Sequence, residues 1–529
     1  MVTDSRAGAG PAIARPRALD RLAEMPWQVA AALLFAGAAA LSAATMVKGF
    51  QPNDEGLMLQ AAARIAHGQV PYSDFWWYYP PGQPYLLALL WKVFGPSMLT
   101  WRIVRVLSDA AVAVLVFALA RRRAPVWLSL VAWLGAACAM AFPSGPHPFP
   151  IALAFALGTL LAFERRPAPA GILAGLCAVW RLEFAAYLVI GIAIAYALQR
   201  ERREAIRFGA ATAITTLVLY APVVIAAGVG TSLRLLVKYP LFDFSKYQSL
   251  PLSTDYNGPL NTSSIGGFLS DSAENLVHFY LPLALLITTA GALIALVVRN
   301  RRDLAPMAAP LVFTIGMGSY LLVRPDEFHT APLAVMLCVL AAWVLAVRPG
   351  RVLAVAWAAA AVGLAWVVVE GVDRRVRTIE EHDVALHVPI ADGVQGKANR
   401  VRPLEKAVSY VDGHVPRGRP IYVATARSDL VTSGAPLFYV AAGRANPSRY
   451  DIAAPGVVTT AKVQREIAGS LERTRTPMVV RYTAPITAAR EPNRAGTSSG
   501  VVLLDRYIAA NYRQVAKFGF YVLLERRSG

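Results

Sequence analysis

Two adjacent acids, Asp54 and Glu55, open the stretch 53–82, NDEGLMLQAAARIAHGQVPYSDFWWYYPPG. A carboxylate pair suits acid–base work: one member takes a proton from an attacking hydroxyl, while the other orients it or holds a divalent cation through oxygen ligands. The plain alternative is dipole compensation, because acids are favoured in the first turn of a helix. Behind the pair, Leu57, Ala61 and Ile65 share one face of a helical pattern; then come Gly68, Pro71-Tyr72-Ser73-Asp74, the aromatics Trp76 to Tyr79, and the stop Pro80-Pro81-Gly82. Trp and Tyr rings favour the headgroup level of a bilayer, so this loop is expected at an interface, with Tyr72, Asp74 and Tyr79 as candidate substrate-loop residues.

Arg181 and Glu183 interrupt an apolar run. Ionisable groups there face a cavity or a partner, and a guanidinium suits a phosphate, although a mutual ion pair explains the same residues. Arg324, Asp326, Glu327 and His329 crowd a short segment between two apolar runs. Arg324 and His329 are candidate phosphate contacts, and Asp54, Glu55 and Asp326 are candidate cation ligands; a solvated hairpin is the alternative. Lys238, Tyr239, Asp243 and Tyr247 lie in a long aromatic loop suited to sugar stacking or to interface anchoring, with Lys238 a further substrate-loop candidate. His147, flanked by prolines, reads as structural.

These residues need a membrane scaffold to position them. The chain of 529 residues is 56% hydrophobic and 16% charged, with mean hydropathy +0.45, which excludes an ordinary soluble enzyme. The net charge of +19 comes from arginines clustered between apolar runs, a topology signal rather than a nucleic-acid surface. Cys138, Cys177 and Cys338 all fall inside apolar runs, which argues against a disulfide framework or thiolate metal site. Residues 1–26 read as a disordered cytoplasmic lead.

Spans are expected at 27–46, 103–120, 126–142, 149–163, 170–180, 184–198, 208–228, 277–298, 305–323, 331–347 and 352–369, about eleven crossings by length and basic flanks. Segment 85–94 is too short to cross and is expected along the surface or as a partial insertion. Parity puts the acid-pair loop (47–101), 143–150, the Arg181 break, the loop 229–276 and 324–330 on one outer face. The transmembrane part covers 27–370. From 371 to 529 the composition turns mixed: helices at 404–411, 462–471 and 505–511 and strands at 420–424, 478–482 and 518–525 make a small α/β domain, extracytoplasmic by the same parity.

Asp54-Glu55 after the first span, then Gly68, Pro71-Tyr72, Asp74, Pro80-Pro81-Gly82, Phe94-Gly95 and Arg102, resembles the first outer loop of the GT-C superfamily. That group includes protein O-mannosyltransferases, lipid A aminoarabinose transferases and actinobacterial arabinofuranosyltransferases. The resemblance covers about residues 27–370. It implies a polyprenyl-phosphate-sugar donor, a glycan, lipid or protein acceptor, and single-step inversion with Asp54 as base. Arg181 falls where relatives commonly carry Lys near the donor phosphate, and 324–329 resembles a later donor-facing loop. High arginine content leans toward a cell-envelope arabinofuranosyltransferase by analogy. A lipid-linked-glycan flippase and an inactive glycan-binding relative are the competing classes; no internal repeat of the transporter kind is seen.

Overall fold

The computed structural model describes residues 25–140, 149–250, 263–267, 280–299, 305–324, 327–347, 354–491 and 493–528. His147 and Asp326 lie outside them.

The first part is helical: α1 (Trp27–Ala43), α2 (Asp54–Ala66), α3 (Gly82–Phe94), α4 (Met98–Ala120), α5 (Val126–Met140), α6 (Phe149–Ala162), α7 (Pro167–Trp180), α8 (Leu182–Gln199), α9 (Arg202–Ala227), α10 (Leu281–Arg299), α11 (Ala308–Val323), α12 (Glu327–Ala346) and α13 (Ala354–Glu380). Among the described residues, six helices are long and apolar enough to cross a bilayer: α4, α8, α9, the stretch 305–323 ending in α11, α12 and α13. Helices α1, α5, α6, α7 and α10 are apolar but shorter in their apolar extent. One core runs through α4–α8 and α10–α13, from Val112 and Leu153 to Val339 and Leu364. Large side chains such as Leu217, Ile225, Ile287 and Val355 face outward. An apolar exterior around an apolar core is what a lipid-solvated bundle requires.

Helix α3 is the short segment expected along the surface. Its outer face exposes Leu89, Val93 and Phe94. The Arg181 break is real: α7 ends at Trp180, Arg181 is extended (φ −148°, ψ 104°), and α8 starts at Leu182. The stretch expected as a loop after residue 228 instead contains an 11-residue π-helix, Arg234–Phe244. Its Tyr239 packs on Trp76 and Tyr78 at 5.1 and 5.2 Å between ring centroids.

After α13 come α14 (Ala398–His414), β1 (Ile421–Thr425), α15 (Leu437–Ala441), α16 (Ala461–Arg473), β2 (Met478–Tyr482), α17 (Leu503–Asn511), β3 (Tyr512–Phe518) and β4 (Tyr521–Arg526). The sheet order is β1-β2-β4-β3, with β1 and β2 parallel and the remaining pairs antiparallel. Period-two alternation sends Ile421, Met478 and Val480 to one core and Tyr422 and Val479 to the other. The second core is closed by Ile467 and Leu471 of α16 and Ile508 of α17. The closing strand expected at 518–525 is a hairpin, turning at Gly519 (φ +55°). Its first strand is an edge carrying Arg513 and Lys517, so the apolar alternation that betrays a strand is weak there.

Helix α2 joins the two parts. Leu57, Met58, Ala61 and Ala62 enter an aromatic core with Tyr72, Trp76, Trp77 and Tyr78. Leu59 enters the core shared with the sheet. A Cβ on Gly56 would stand 2.1 Å from the backbone nitrogen of Leu437, so only glycine allows α15 to lie this close.

Candidate functional site

Asp54 and Glu55 have opposite surroundings although they are neighbours. Asp54, the first residue of α2, is exposed, and its Oδ1 accepts a 2.8 Å bond from Asn53 Nδ2. Glu55 is fully buried. Arg102 Nε donates to its Oε1 at 2.8 Å and Nη2 to its Oε2 at 2.9 Å. The same guanidinium donates to the carbonyls of Met46 (2.8 Å) and Gly49 (2.7 Å). The expectation that Glu55 orients Asp54 or binds a cation is therefore revised: both oxygens are engaged by Arg102, in a two-pronged geometry that offsets the cost of burying charge. Among the described residues no group of three His, Cys, Asp or Glu side chains is gathered as a metal site.

The aromatic loop is shaped from within. Tyr72 is fully buried at φ +69°, and its hydroxyl donates to the Tyr79 carbonyl at 2.7 Å. Asp74 accepts the Val70 N–H at 2.7 Å and the Ser73 hydroxyl at 3.4 Å. Tyr72 is enclosed within the loop while Asp74 stays exposed, and the strained Tyr72 backbone persists because its surroundings fix it. Tyr79 is the member that reaches the site. Tyr78 donates to its hydroxyl at 2.6 Å. Burial pushes the Tyr79 hydroxyl up to about 12; the Tyr78 bond, Arg181 and Arg324 pull it down, and the Asp54 carboxylate pushes it up. The Tyr79 phenol thus lies within electrostatic reach of Asp54, Arg181 and Arg324.

Arg181 is buried, donates from Nη2 to Glu183 Oε1 at 2.6 Å, and lies over the Tyr320 ring at 4.9 Å and the Phe184 ring at 5.6 Å. Its Nε has no hydrogen-bond partner among the described residues. Tyr320 in turn packs on His329 at 4.4 Å. Arg324 forms a two-pronged pair with Glu491 of the C-terminal part, at 2.8 and 3.2 Å. Lys238 is exposed on the π-helix, and its neighbour Tyr239 is the one that meets the aromatic loop.

Asn53, Tyr78, Tyr320 and Glu491 were not singled out in the sequence. Tyr78 and Asn53 adjoin residues that were. Glu491 had no local signal, since 167 positions separate it from Arg324.

The chain is similar, over part of its length in sequence and over most of it in fold, to membrane glycosyltransferases. More narrowly, residues 77–325 match the model of glycosyltransferase family 87. The chain superposes on ArnT from Cupriavidus metallidurans, bound to undecaprenyl phosphate, with TM-score 0.56 and 13% identity, over 94% of this chain and 98% of that one. It superposes on the arabinofuranosyltransferase AftD from Mycobacteria with TM-score 0.53 and 13% identity, over 94% of this chain but only 40% of AftD. No curated protein matches it by sequence.

Proposed function

We propose that the chain moves a sugar from a polyprenyl-phosphate donor to an acceptor hydroxyl with inversion at the anomeric carbon, and that the donor sugar is arabinofuranose. The observation that carries this reading is that the exposed acid opening α2, Asp54, and two arginines, Arg181 and Arg324, all lie within electrostatic reach of one tyrosine, Tyr79. A base and two cations around one polar tyrosine are the parts an inverting transfer from a phosphate ester needs. Asp54 takes the acceptor proton as the hydroxyl oxygen attacks the anomeric carbon, and the bond to the lipid phosphate breaks on the opposite side. Arg181 and Arg324, with His329 beside Tyr320, receive the charge that develops on the leaving phosphate. Fixed cations aimed at that charge lower the barrier more than base strength does, because the phosphate is a good leaving group.

Several features support a lipid-linked donor delivered from the outer side. A cleft between α10, α12 and α13 is lined by Leu285, Leu337 and Leu364, with Thr330 and Arg374 among its few polar groups. Thr330 follows His329 directly along α12. Arg165–Arg166 and Arg200 sit at the ends of α7 and α8 opposite those that meet at Arg181, and Arg121–Arg123 ends α4, as basic cytoplasmic turns do. On that topology the N-terminus is cytoplasmic, the chain crosses about eleven times, and the C-terminal α/β part is extracytoplasmic. ArnT carries undecaprenyl phosphate, and AftD is an arabinofuranosyltransferase.

The test is a screen of polyprenyl-phosphate sugars with the purified full chain, read by release of polyprenyl phosphate. Turnover of the arabinofuranosyl donor, abolished in Asp54→Asn with its elution profile intact, is the expected result. Near-normal turnover in that variant overturns the assignment of the base, and preference for another sugar overturns the arabinofuranosyl reading.

A further inference from the structure

Asn53 sits between the acid and the C-terminal part. Its Oδ1 accepts the Gly434 backbone N–H at 3.1 Å, and its Nδ2 donates to Asp54 Oδ1 at 2.8 Å. Only this amide orientation satisfies both neighbours, since the backbone N–H needs an acceptor and the carboxylate needs a donor. The Leu437 N–H donates to the Pro52 carbonyl at 3.0 Å, fixing the residue before Asn53 as well. Gly434 belongs to a segment held at its other end. Thr432 donates from its backbone N–H to the Thr487 carbonyl (2.9 Å) and from Oγ1 to the Ala489 carbonyl (2.7 Å). Two residues beyond Ala489, Glu491 takes Arg324 with both oxygens, and Asn493 Nδ2 steadies Glu491 Oε2 at 2.9 Å. An unbroken path of bonds therefore runs from Asp54 through Asn53, residues 432–434 and residues 487–491 to Arg324.

We infer that Asn53 is a positioning residue for the proposed base and that the C-terminal part, through Gly434 and Glu491, sets the placement of Asp54 relative to Arg324. The inference rests on the reading of Asp54 as the base. An amide donor on a carboxylate oxygen selects one rotamer of the acid and favours its ionised form. The C-terminal part is thus a component of the site, and a chain lacking it keeps Asn53 but loses the Gly434 N–H that orients its amide.

The experiment compares Asn53→Ala and Asn53→Asp with the unaltered full chain in two readouts: the pH profile of donor turnover, and the pH dependence of carbodiimide labelling of Asp54 mapped by mass spectrometry. The second needs no turnover, and Asp54 is exposed enough to label. Asn53→Ala is expected to lower kcat at neutral pH by about tenfold with little change in donor KM, and to move the acidic limb and the labelling midpoint up by about half to one pH unit. Asn53→Asp keeps an acceptor for Gly434, and so the docking contact, but sets a second carboxylate beside the first; it is expected to move both further in the same direction. A limb and labelling midpoint unchanged in both variants, with Asp54→Asn inactive, overturns the positioning role while leaving the base in place. An active Asp54→Asn overturns the base itself.

Discussion

Glu55 and Arg102 are locked in a buried two-pronged ion pair where the exit of α1, the first turn of α2 and α4 meet. Arg102 also gathers the carbonyls of Met46 and Gly49, so one guanidinium closes the chain between the first apolar helix and the acid pair. The two neighbouring acids therefore divide their work: Glu55 holds the helix start, and Asp54 is left at the surface of the site.

Removing one partner of this pair exposes the asymmetry. Arg102→Ala strands a fully buried carboxylate and is expected to cost about 3–5 kcal/mol, enough to leave little folded protein. Glu55→Gln keeps one acceptor oxygen and is expected to cost less. Thermal melting in detergent, read by size exclusion, orders the two, and equal melting of Arg102→Ala and wild type contradicts the staple.

With both Glu55 oxygens engaged by Arg102, a chelator is expected to leave donor turnover unchanged. Loss of activity in chelator that a divalent ion restores returns the acid pair to a metal-binding role.

Tyr79 gives a pH signature. Its hydroxyl is pushed up to about 12 by burial, so it stays protonated, able to donate, well past neutrality. Because the folded value lies above the ordinary tyrosine value of about 10, the stability tied to it is complete below pH 10 and lost as pH climbs toward 12. Tyr79→Phe is expected to lose less stability than wild type over that alkaline window. At neutral pH it costs about 1 kcal/mol, because the Tyr78 hydroxyl loses its acceptor. Parallel melting curves from pH 9 to 12 for both proteins rule this out.

What the sequence disclosed follows the range of the forces involved. Apolar length and basic flanks are local, so the helices were legible one by one, and so were β2 at 478–482 and the break at Arg181. The edge strand β3 was not, because its charged, half-exposed pattern hides the period. The π-helix was read as loop, since Pro240 and scattered aromatics blur any helical period. At the site, the residue types were visible but their partners were not. Glu55 and Arg102 lie 47 positions apart, Arg324 and Glu491 167, and only the folded chain pairs them.

Arg181 tests the phosphate side of the site. Its guanidinium is fixed by Glu183 at one nitrogen and by the rings of Tyr320 and Phe184 across its face, while its Nε keeps a proton without a partner among the described residues. A guanidinium held in this way keeps its charge and a spare N–H donor, which a phosphate oxygen can accept. Lysine keeps the charge but loses the fork and the stacking on the rings. Arg181→Lys is expected to raise donor KM by about tenfold with a smaller fall in kcat, whereas Arg181→Ala removes the charge that receives the leaving phosphate and lowers kcat by about a hundredfold. Steady-state kinetics with varied donor at saturating acceptor separate the two. If donor KM and kcat stay at wild-type values in both variants while melting falls, Arg181 serves only as the ion pair that seals the break between α7 and α8.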